Sequence, residues 1–377
     1  MELVLEGDQE LLLETTRRFL RAESPMTAVR GLVDDPVGFD RGYWRRGAEL
    51  GWTAMLVPEA LGGGSITGKG LLDLALVAEE FGQTAAPGPL IPVNVVAAAL
   101  ARAGTPTHQA EVLPALVSGE AVATWAFAEG DATWDGAGVE LAATAEGEDW
   151  VLEGDKAFVQ DAGVADWFLV TARTAADGAL TQFLVPAGAE GVRVDPLVSL
   201  DMVRRFGNLH LGAVRVPASA VVGTVGGADG DVEHQLQVAL VLQNAETVGA
   251  AAKLFDTALE YCNDRVSFGR PIGSYQALKH RLAEMKLALE ACLGTSTASA
   301  RAVQDGAADA GQLVRMSAAY IGDESPSLAQ STIQLHGGIG VTWESDLHIY
   351  LRRIAQNAAL YGSPRQLRLQ LAGLLGL

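Results

Sequence analysis

The hydrophobic periodicity of this chain changes twice, and this change limits its fold more than any other feature. As far as about Gly119, apolar residues recur at the three-to-four spacing of amphipathic helices. Short β-rich runs bounded by Gly, Asp and Pro then follow, and the helical period returns after Asp231. The pattern predicts an α+β chain of three domains: an N-terminal helical domain (1–120), a middle β-sandwich or barrel domain (121–225) and a C-terminal four-helix bundle (226–377).

Charge and composition exclude several classes of function. A formal net charge of -19 and a pI near 4.7 would repel nucleic acids and anionic membranes. The densest basic group, Arg352-Arg353 with Arg365 and Arg368, is typical of a solvated helix face or an anion contact. The two cysteines and six histidines favour neither a disulfide framework nor a metal site. Without a secretory signal or a membrane-length apolar run, we expect a cytoplasmic protein.

Two helix ends can be predicted from local sequence. Apolar spacing predicts a helix from about Leu71 to Phe81 that ends at Gly82. Ser325 followed by Pro326 is typical of an N-cap and a first helical position. We therefore expect a helix to start there and to run to the glycines at 337–338.

The segment 265–276, Arg-Val-Ser-Phe-Gly-Arg-Pro-Ile-Gly-Ser-Tyr-Gln, places a cation beside residues that end helices. A guanidinium offers two parallel donors to a phosphate, and glycine lets a backbone approach a ligand closely. We expect one helix to end at Gly269 and the next to contain Gln276. The segment is either an anion site or a helix–helix corner in which Arg265 pairs with a carboxylate.

The segment 334–340, Gln-Leu-His-Gly-Gly-Ile-Gly, has a similar character. Gly337 and Gly338 can expose backbone donors to a phosphate or a ribose without a Cβ in the way. Glycines are also routine helix C-caps, so this segment alone does not decide between a ligand site and a cap.

Together, the two segments resemble the flavin-binding signatures of the acyl-CoA dehydrogenase family. Stretches at 57–63, 78–82, 279–285 and 343–347 extend the resemblance over nearly the whole chain. It implies the acyl-CoA dehydrogenase fold, FAD as cofactor, α,β-dehydrogenation of an acyl-CoA thioester, and an electron-transfer flavoprotein that reoxidises the flavin. It also implies FAD contacts from Arg265, Phe268, Gln276, Gln334, Leu335, His336, Gly337 and Gly338.

The residue at the usual position of the family's catalytic base differs from the family pattern. Where the family has Tyr-Glu-Gly-Thr, residues 360–363 read Leu-Tyr-Gly-Ser, so Tyr361 replaces the glutamate. A phenol with an ordinary pKa near 10 is a poor base at neutral pH. Some relatives carry the base on the helix before Arg265, where this chain has Ala239. Glu246, about two turns further along that helix, is either a displaced base or a buried ion-pair partner.

The residues that the family places around the flavin ring differ as well. The stretch 128–134 begins with Ala128 where the family has a threonine, so a hydroxyl is lost. In the strand that usually reads Lys-x-Trp/Phe-Ile-Thr, Phe158 keeps the aromatic side chain but Gln160 replaces the threonine. Each lost hydrogen bond removes about 0.5–1.5 kcal/mol.

In the family, one subunit holds the flavin ring and supplies the base, while its neighbour clasps the adenine and the pyrophosphate. This chain keeps the second set of residues and lacks the first. The resemblance therefore implies the partner subunit of a heterotetramer with two flavins, similar to steroid-side-chain acyl-CoA dehydrogenases and acting on a bulky acyl-CoA. Two alternatives stay open: a homomeric dehydrogenase that uses Glu246, and a flavin-free scaffold that stabilises a related dehydrogenase.

Overall fold

A computed structural model describes residues 5–130, 132–174 and 178–376. These residues form a helical, a β and a second helical block in the predicted order, so the fold class is confirmed. The helices are α1 (Gly7–Glu23), α2 (Met26–Gly31), α3 (Arg41–Glu49), α4 (Gly70–Thr84), α5 (Leu90–Ala103), α6 (Leu113–Val117), α7 (Asp229–Asp264), α8 (Gln276–Gln304), α9 (Ala310–His336), α10 (Leu347–Asn357) and α11 (Pro364–Leu374). The strands are β1 (Ala123–Ala126), β2 (Ala142–Glu146), β3 (Asp149–Gln160), β4 (Trp167–Thr174), β5 (Leu180–Pro186), β6 (Val192–Leu197), β7 (Phe206–Pro217), β8 (Val221–Val222), β9 (Val266–Ser267) and β10 (Arg270–Pro271).

The N-terminal helices pack around Trp52, which is completely buried. Its ring meets Phe81 of α4 edge-on with centroids 4.9 Å apart, and its carbonyl oxygen accepts a hydrogen bond from Asn94 of α5 at 2.9 Å. These contacts join the irregular segment between α3 and α4 to α4 and α5.

The prediction that a helix ends at Gly82 is wrong, because α4 continues to Thr84. Gly82 lies where α4 crosses α7, and a Cβ there would overlap the carbonyl oxygen of Glu246. Gly249 is its counterpart on α7, where a Cβ would overlap the carbonyl oxygen of Glu79. The two glycines therefore allow the two backbones to touch.

The described part of the middle domain forms one eight-stranded sheet with its own apolar core. Its order is β6-β7-β3-β2-β4-β5-β8, and β1 pairs with β4 beside this path. Both β1 and β2 run parallel to β4. The chain just after β1 meets β3, because the N–H of Ala157 donates to the carbonyl oxygen of Ala128 at 2.8 Å.

The three long helices α7, α8 and α9 pack against one another in the C-terminal domain. The expectation that a helix starts at Ser325 is wrong: α9 runs without interruption from Ala310 to His336, with Pro326 inside it. Proline removes one helical N–H, but packing of α9 against α7 and α8 holds the helix together. The C-terminal end of α9 lies beside the end of α7.

The close crossing of α4 and α7 can be tested by adding a single methyl group. We expect Gly249→Ala to lower the free energy of unfolding by roughly 3 kcal/mol, since the backbones must separate. The matched control is Gly294→Ala in α8, where a Cβ meets nothing within 4 Å. That variant is expected to gain about 0.5–1 kcal/mol from helix propensity. Guanidinium denaturation measures both, and equal effects would contradict the close crossing.

Candidate functional site

The two glycine-punctuated segments, residues 265–276 and 334–340, lie side by side and are called the clasp below. Tyr261, one turn before the end of α7, stacks on His336 at the end of α9, with ring centroids 4.2 Å apart and planes inclined by 23°. The clasp is therefore one surface built from two distant parts of the sequence.

The first half of the clasp is a tight hairpin. Strands β9 and β10 pair antiparallel, the N–H of Ile272 donates to the carbonyl oxygen of Arg265 at 2.8 Å, and the Tyr275 hydroxyl donates to Ser267 at 3.0 Å. Phe268 and Gly269 form the turn with φ values of 52° and 81°, as a type I′ turn requires. A bulky residue is strained there, and yet the Phe268 side chain is 96% exposed.

The Arg265 guanidinium is available to an anion. The side chain is exposed, and among the described residues it has no ion-pair or hydrogen-bond partner. In the alternative of a helix–helix corner, Arg265 would pair with a carboxylate, and no such pair is present among the described residues. Gln276 begins α8, whose N-terminal end carries partial positive charge, and this residue is exposed too.

The second half of the clasp presents open backbone. Gly337 and Gly338 are exposed, and a Cβ on either would meet nothing within 4 Å. Gln334 is exposed and Leu335 is half-buried. His336 is buried, and its Nδ1 donates to the carbonyl oxygen of Thr332 at 2.8 Å. In the neutral ring Nε2 then carries the free lone pair.

Tyr361, at the usual position of the base, is sealed into an aromatic cluster. Its ring meets Trp134 edge-on with centroids 4.9 Å apart and lies 6.2 Å from Trp125. Only 4% of the residue is exposed, and burial raises the pKa of its phenol. A buried, protonated phenol cannot take a proton from a substrate at neutral pH.

Glu246 lies in a buried charge cluster with Arg353, Arg204 and Asp201. Its carboxylate is paired with the Arg204 guanidinium and, at 2.9 Å, with Nη1 of Arg353. Asn357 also donates to it at 3.1 Å. All of these side chains are at least 95% buried. The carboxylate thus has three hydrogen-bond donors and no open side, as in the ion-pair alternative.

Arg353 was expected on a solvated helix face or at an anion contact. It is instead completely buried, paired with Asp201 and Glu246, so the prediction of a solvated face is wrong. Burial opposes ionisation of Asp201, but Arg353 and Arg204 outweigh it and hold the pKa of that carboxyl below its usual value. Sequence reasoning missed Asp201 and Arg204. One signal for the burial of Arg353 was available, because it shares its helical face with Tyr350 and Asn357.

The two stretches that the family uses around the flavin ring lie together but have changed. Lys156, completely buried, reaches the carbonyl oxygen of Phe127 at 3.0 Å and pairs with Glu129. Ala128 supplies no hydroxyl, and Asp131 lies outside the described residues. The Gln160 side chain is turned into the interior, where its Nε2 donates to Asp161 at 3.0 Å.

A cavity of about 350 Å³ lies between these stretches and α10, and we call it the ring cavity. Trp134 and Phe158 line it, together with Phe206, residues 197–200 and residues 356, 359 and 360. Tyr361 is not among its described lining residues. The indole of Trp134 thus stands between the ring cavity and the position of the usual base.

Comparison with known proteins assigns the family. Family models for the N-terminal, middle and C-terminal domains of acyl-CoA dehydrogenases match residues 6–120, 124–211 and 231–373. The chain is 32% identical to the acyl-CoA dehydrogenase IpdE2 of Mycolicibacterium smegmatis over 96% of its own length and 97% of the relative's. The chain belongs to the acyl-CoA dehydrogenase family. FAD is therefore its cofactor, and dehydrogenation of an acyl-CoA is the reaction of its family.

Two solved structures resemble it along almost the whole chain. One is described as the Tcur3481-Tcur3483 steroid ACAD, with 30% identity, a TM-score of 0.88 and 98% of each chain covered. The other is the ChsE4-ChsE5 complex from Mycobacterium tuberculosis, with 27% identity and a TM-score of 0.88, covering 100% of this chain and 99% of that one.

Among the described helices, none combines the length and the apolar character that a membrane span needs.

The clasp and the ring cavity of this acyl-CoA dehydrogenase chain fit the two ends of FAD unequally. The clasp fits an anionic pyrophosphate, because it combines the unpaired Arg265 with open backbone at 337–338. The ring cavity does not fit the polar edge of an isoalloxazine. Ala128 supplies no hydroxyl, the Gln160 side chain is turned into the interior, and neither residue is among the described lining residues of the cavity.

The role of Glu246 can be tested by removing its charge. We expect Glu246→Gln to lower the free energy of unfolding by about 3–5 kcal/mol, because two buried guanidinium groups are left with Asp201 alone. The matched control is Glu146→Gln, which breaks an exposed pair with Arg215 and is expected to cost less than about 1 kcal/mol. If Glu246 were the catalytic base, its substitution would abolish turnover and leave the melting temperature near that of the control.

Asp161 gives a pH-dependent prediction. Burial raises its pKa from 3.8 to about 6, although the hydrogen bond from Gln160 and nearby arginines oppose the shift. The folded state therefore gains stability from the protonated acid at low pH and loses it as the pH rises through 6. Asp161→Asn, which mimics the protonated acid, is expected to stabilise the chain by on the order of 2 kcal/mol at pH 7.5 and by almost nothing at pH 4. Equal gains at both pH values would contradict this assignment.

Proposed function

We propose that this chain is the flavin-clasping partner subunit of a two-chain acyl-CoA dehydrogenase. In this proposal its clasp holds the adenine and pyrophosphate of an FAD whose ring lies on a related subunit. That subunit supplies the carboxylate base and the hydrogen-bond donors around the ring.

One observation carries the proposal: the clasp is open and unpaired while the position of the base is closed. Phe268 and Arg265 extend into solvent, so their natural partners lie outside this chain. Tyr361 is enclosed by Trp134 and Trp125, so a thioester carbon cannot approach it. A homomeric enzyme built from this chain would repeat the closed position in every subunit.

Each clasp residue has a specific task in this proposal. Arg265 pairs with the pyrophosphate, and the backbone at Gly337 and Gly338 approaches it without steric hindrance. Stacking on Tyr261 and the bond to Thr332 fix the His336 ring in one orientation. Phe268, Gln276, Gln334 and Leu335 complete the clasp around the adenosine half. When bound, FAD accepts the hydride from the β carbon of the acyl group.

The substrate that we propose is a bulky acyl-CoA of the steroid-side-chain type. Support comes from the likeness to the steroid ACAD and to the two-chain ChsE4-ChsE5 complex. An electron-transfer flavoprotein would then reoxidise the flavin, as in the family. The chain's net charge of -19 makes a nucleic-acid partner unfavourable.

Loss of the clasp arginine tests this function. In the complex of this chain with its partner, Arg265→Ala is expected to weaken FAD binding about ten- to a hundredfold, since a charge-assisted contact is lost. Bound flavin is measured by absorbance after gel filtration, which also reports assembly. The control is Arg215→Ala on β7, which removes an exposed arginine from the middle domain.

An unchanged flavin content in the Arg265→Ala complex would contradict a flavin clasp and would favour the alternative of a flavin-free scaffold. Dissociation of the complex with loss of flavin would point to a contact between subunits. Arg265→Lys separates these effects, because it keeps the charge but removes the paired donors.

A further inference from the structure

Few polar side chains line the ring cavity, and most of their polar atoms already have hydrogen-bond partners. Among its described lining residues, only Ser199 and Gln356 carry polar side chains that are not rings. Ser199 Oγ donates to the carbonyl oxygen of Asp201 at 2.6 Å. Gln356 Oε1 accepts from the N–H of Asp201 at 2.7 Å. This bond fixes the amide, so two side-chain donors of the described lining have no partner: Gln356 Nε2 and the indole Nε1 of Trp134.

The chemistry of the ring cavity selects against flavins and nucleotides. An isoalloxazine carries carbonyl oxygens and ring nitrogens along one edge, and two donors would leave most of them unpaired. No lysine or arginine is among the described lining residues, so a phosphate would lack a counter-charge. The cavity suits a molecule with very few polar atoms.

The rim adds apolar surface that a ligand would cover. Val198 is fully exposed, and Leu200 and Phe158 are 48% and 39% exposed. Phe158 holds a positive φ of 54°, which a bulky residue adopts only under constraint. A volume of about 350 Å³ is within the range of small-molecule sites.

We propose that the ring cavity binds an apolar, ring-containing molecule with one or two hydrogen-bond acceptors, such as a ketone, which Gln356 Nε2 recognises. The inference rests on the proposed function, in which this cavity does not hold a flavin. Trp134 and Phe206 would contact the hydrocarbon rings, and Trp134 would keep the ligand away from Tyr361.

The experiment uses the complex of this chain with its partner and the probe prodan, a fluorescent naphthyl ketone whose emission shifts to the blue in apolar surroundings. We expect saturable binding that Ala359→Trp weakens at least about tenfold, since the indole fills the cavity from an exposed position. Leu287→Trp, at an exposed site on α8, is the matched control and leaves binding unchanged.

A second variant tests the hydrogen bond itself. Gln356→Glu keeps an oxygen for the N–H of Asp201 but removes the donor, so prodan binding is expected to weaken about fivefold to tenfold. The same naphthalene without its ketone should not respond to this variant. Lumiflavin should compete poorly with prodan at the site.

Two outcomes would overturn the inference. Either Ala359→Trp leaves the affinity for prodan unchanged, or lumiflavin competes for the prodan site as strongly as a ketone does. The flavin content of the complex distinguishes failure of this inference from failure of the proposed function. A complex with one FAD per chain contradicts the proposed function, whereas half occupancy without prodan binding contradicts this inference alone.

Discussion

The buried charge cluster of Glu246, Arg353, Arg204 and Asp201 holds the C-terminal helices against the middle domain. Glu246 comes from α7, Arg353 from α10, and the other two from the segment between β6 and β7. An ion pair this deep is costly to desolvate, so it persists only when every member has a partner. The position of α10 relative to the sheet depends on it, and so does the shape of the ring cavity.

The proposal that this chain keeps half of a cofactor site is supported by the separate contacts of its two regions. The clasp belongs to the ends of α7 and α9, which meet through the Tyr261–His336 stack. The base position belongs to the segment after α10, where Tyr361 is enclosed by Trp134 and Trp125. Because the two regions rest on different contacts, the closed base position leaves the clasp undisturbed. In the proposed complex, a related subunit completes each half.

The change from helical to β periodicity and back predicted the fold, because each domain buries its own apolar face. The exact domain boundaries stay a prediction. Helix ends were harder to predict. Gly82 does not end α4 but allows its close crossing with α7, and α9 continues through Pro326 because it packs against other helices. Neither contact is local in sequence, so local rules gave the wrong ends.

The clasp was easier to predict from sequence than the charge cluster. Arg265 and Gly337 lie in segments whose chemistry is local, so the pattern alone raised an anion site as one of two alternatives for each segment. The partners of Arg353 lie on other elements, and a charged residue is normally expected in solvent. The same limit applies to Glu246: its contacts with Arg204 and Asn357 fit the buried ion-pair alternative, and neither contact is local in sequence.

The ratio of FAD to protein chains in the purified complex tests the central claim most directly. The complex is produced by expressing this chain with its related dehydrogenase subunit, and flavin is released and quantified against each chain. A clasp that serves a ring held by the other subunit predicts one FAD for every two chains. One FAD for every chain would contradict the account, since this chain would then hold a flavin ring of its own.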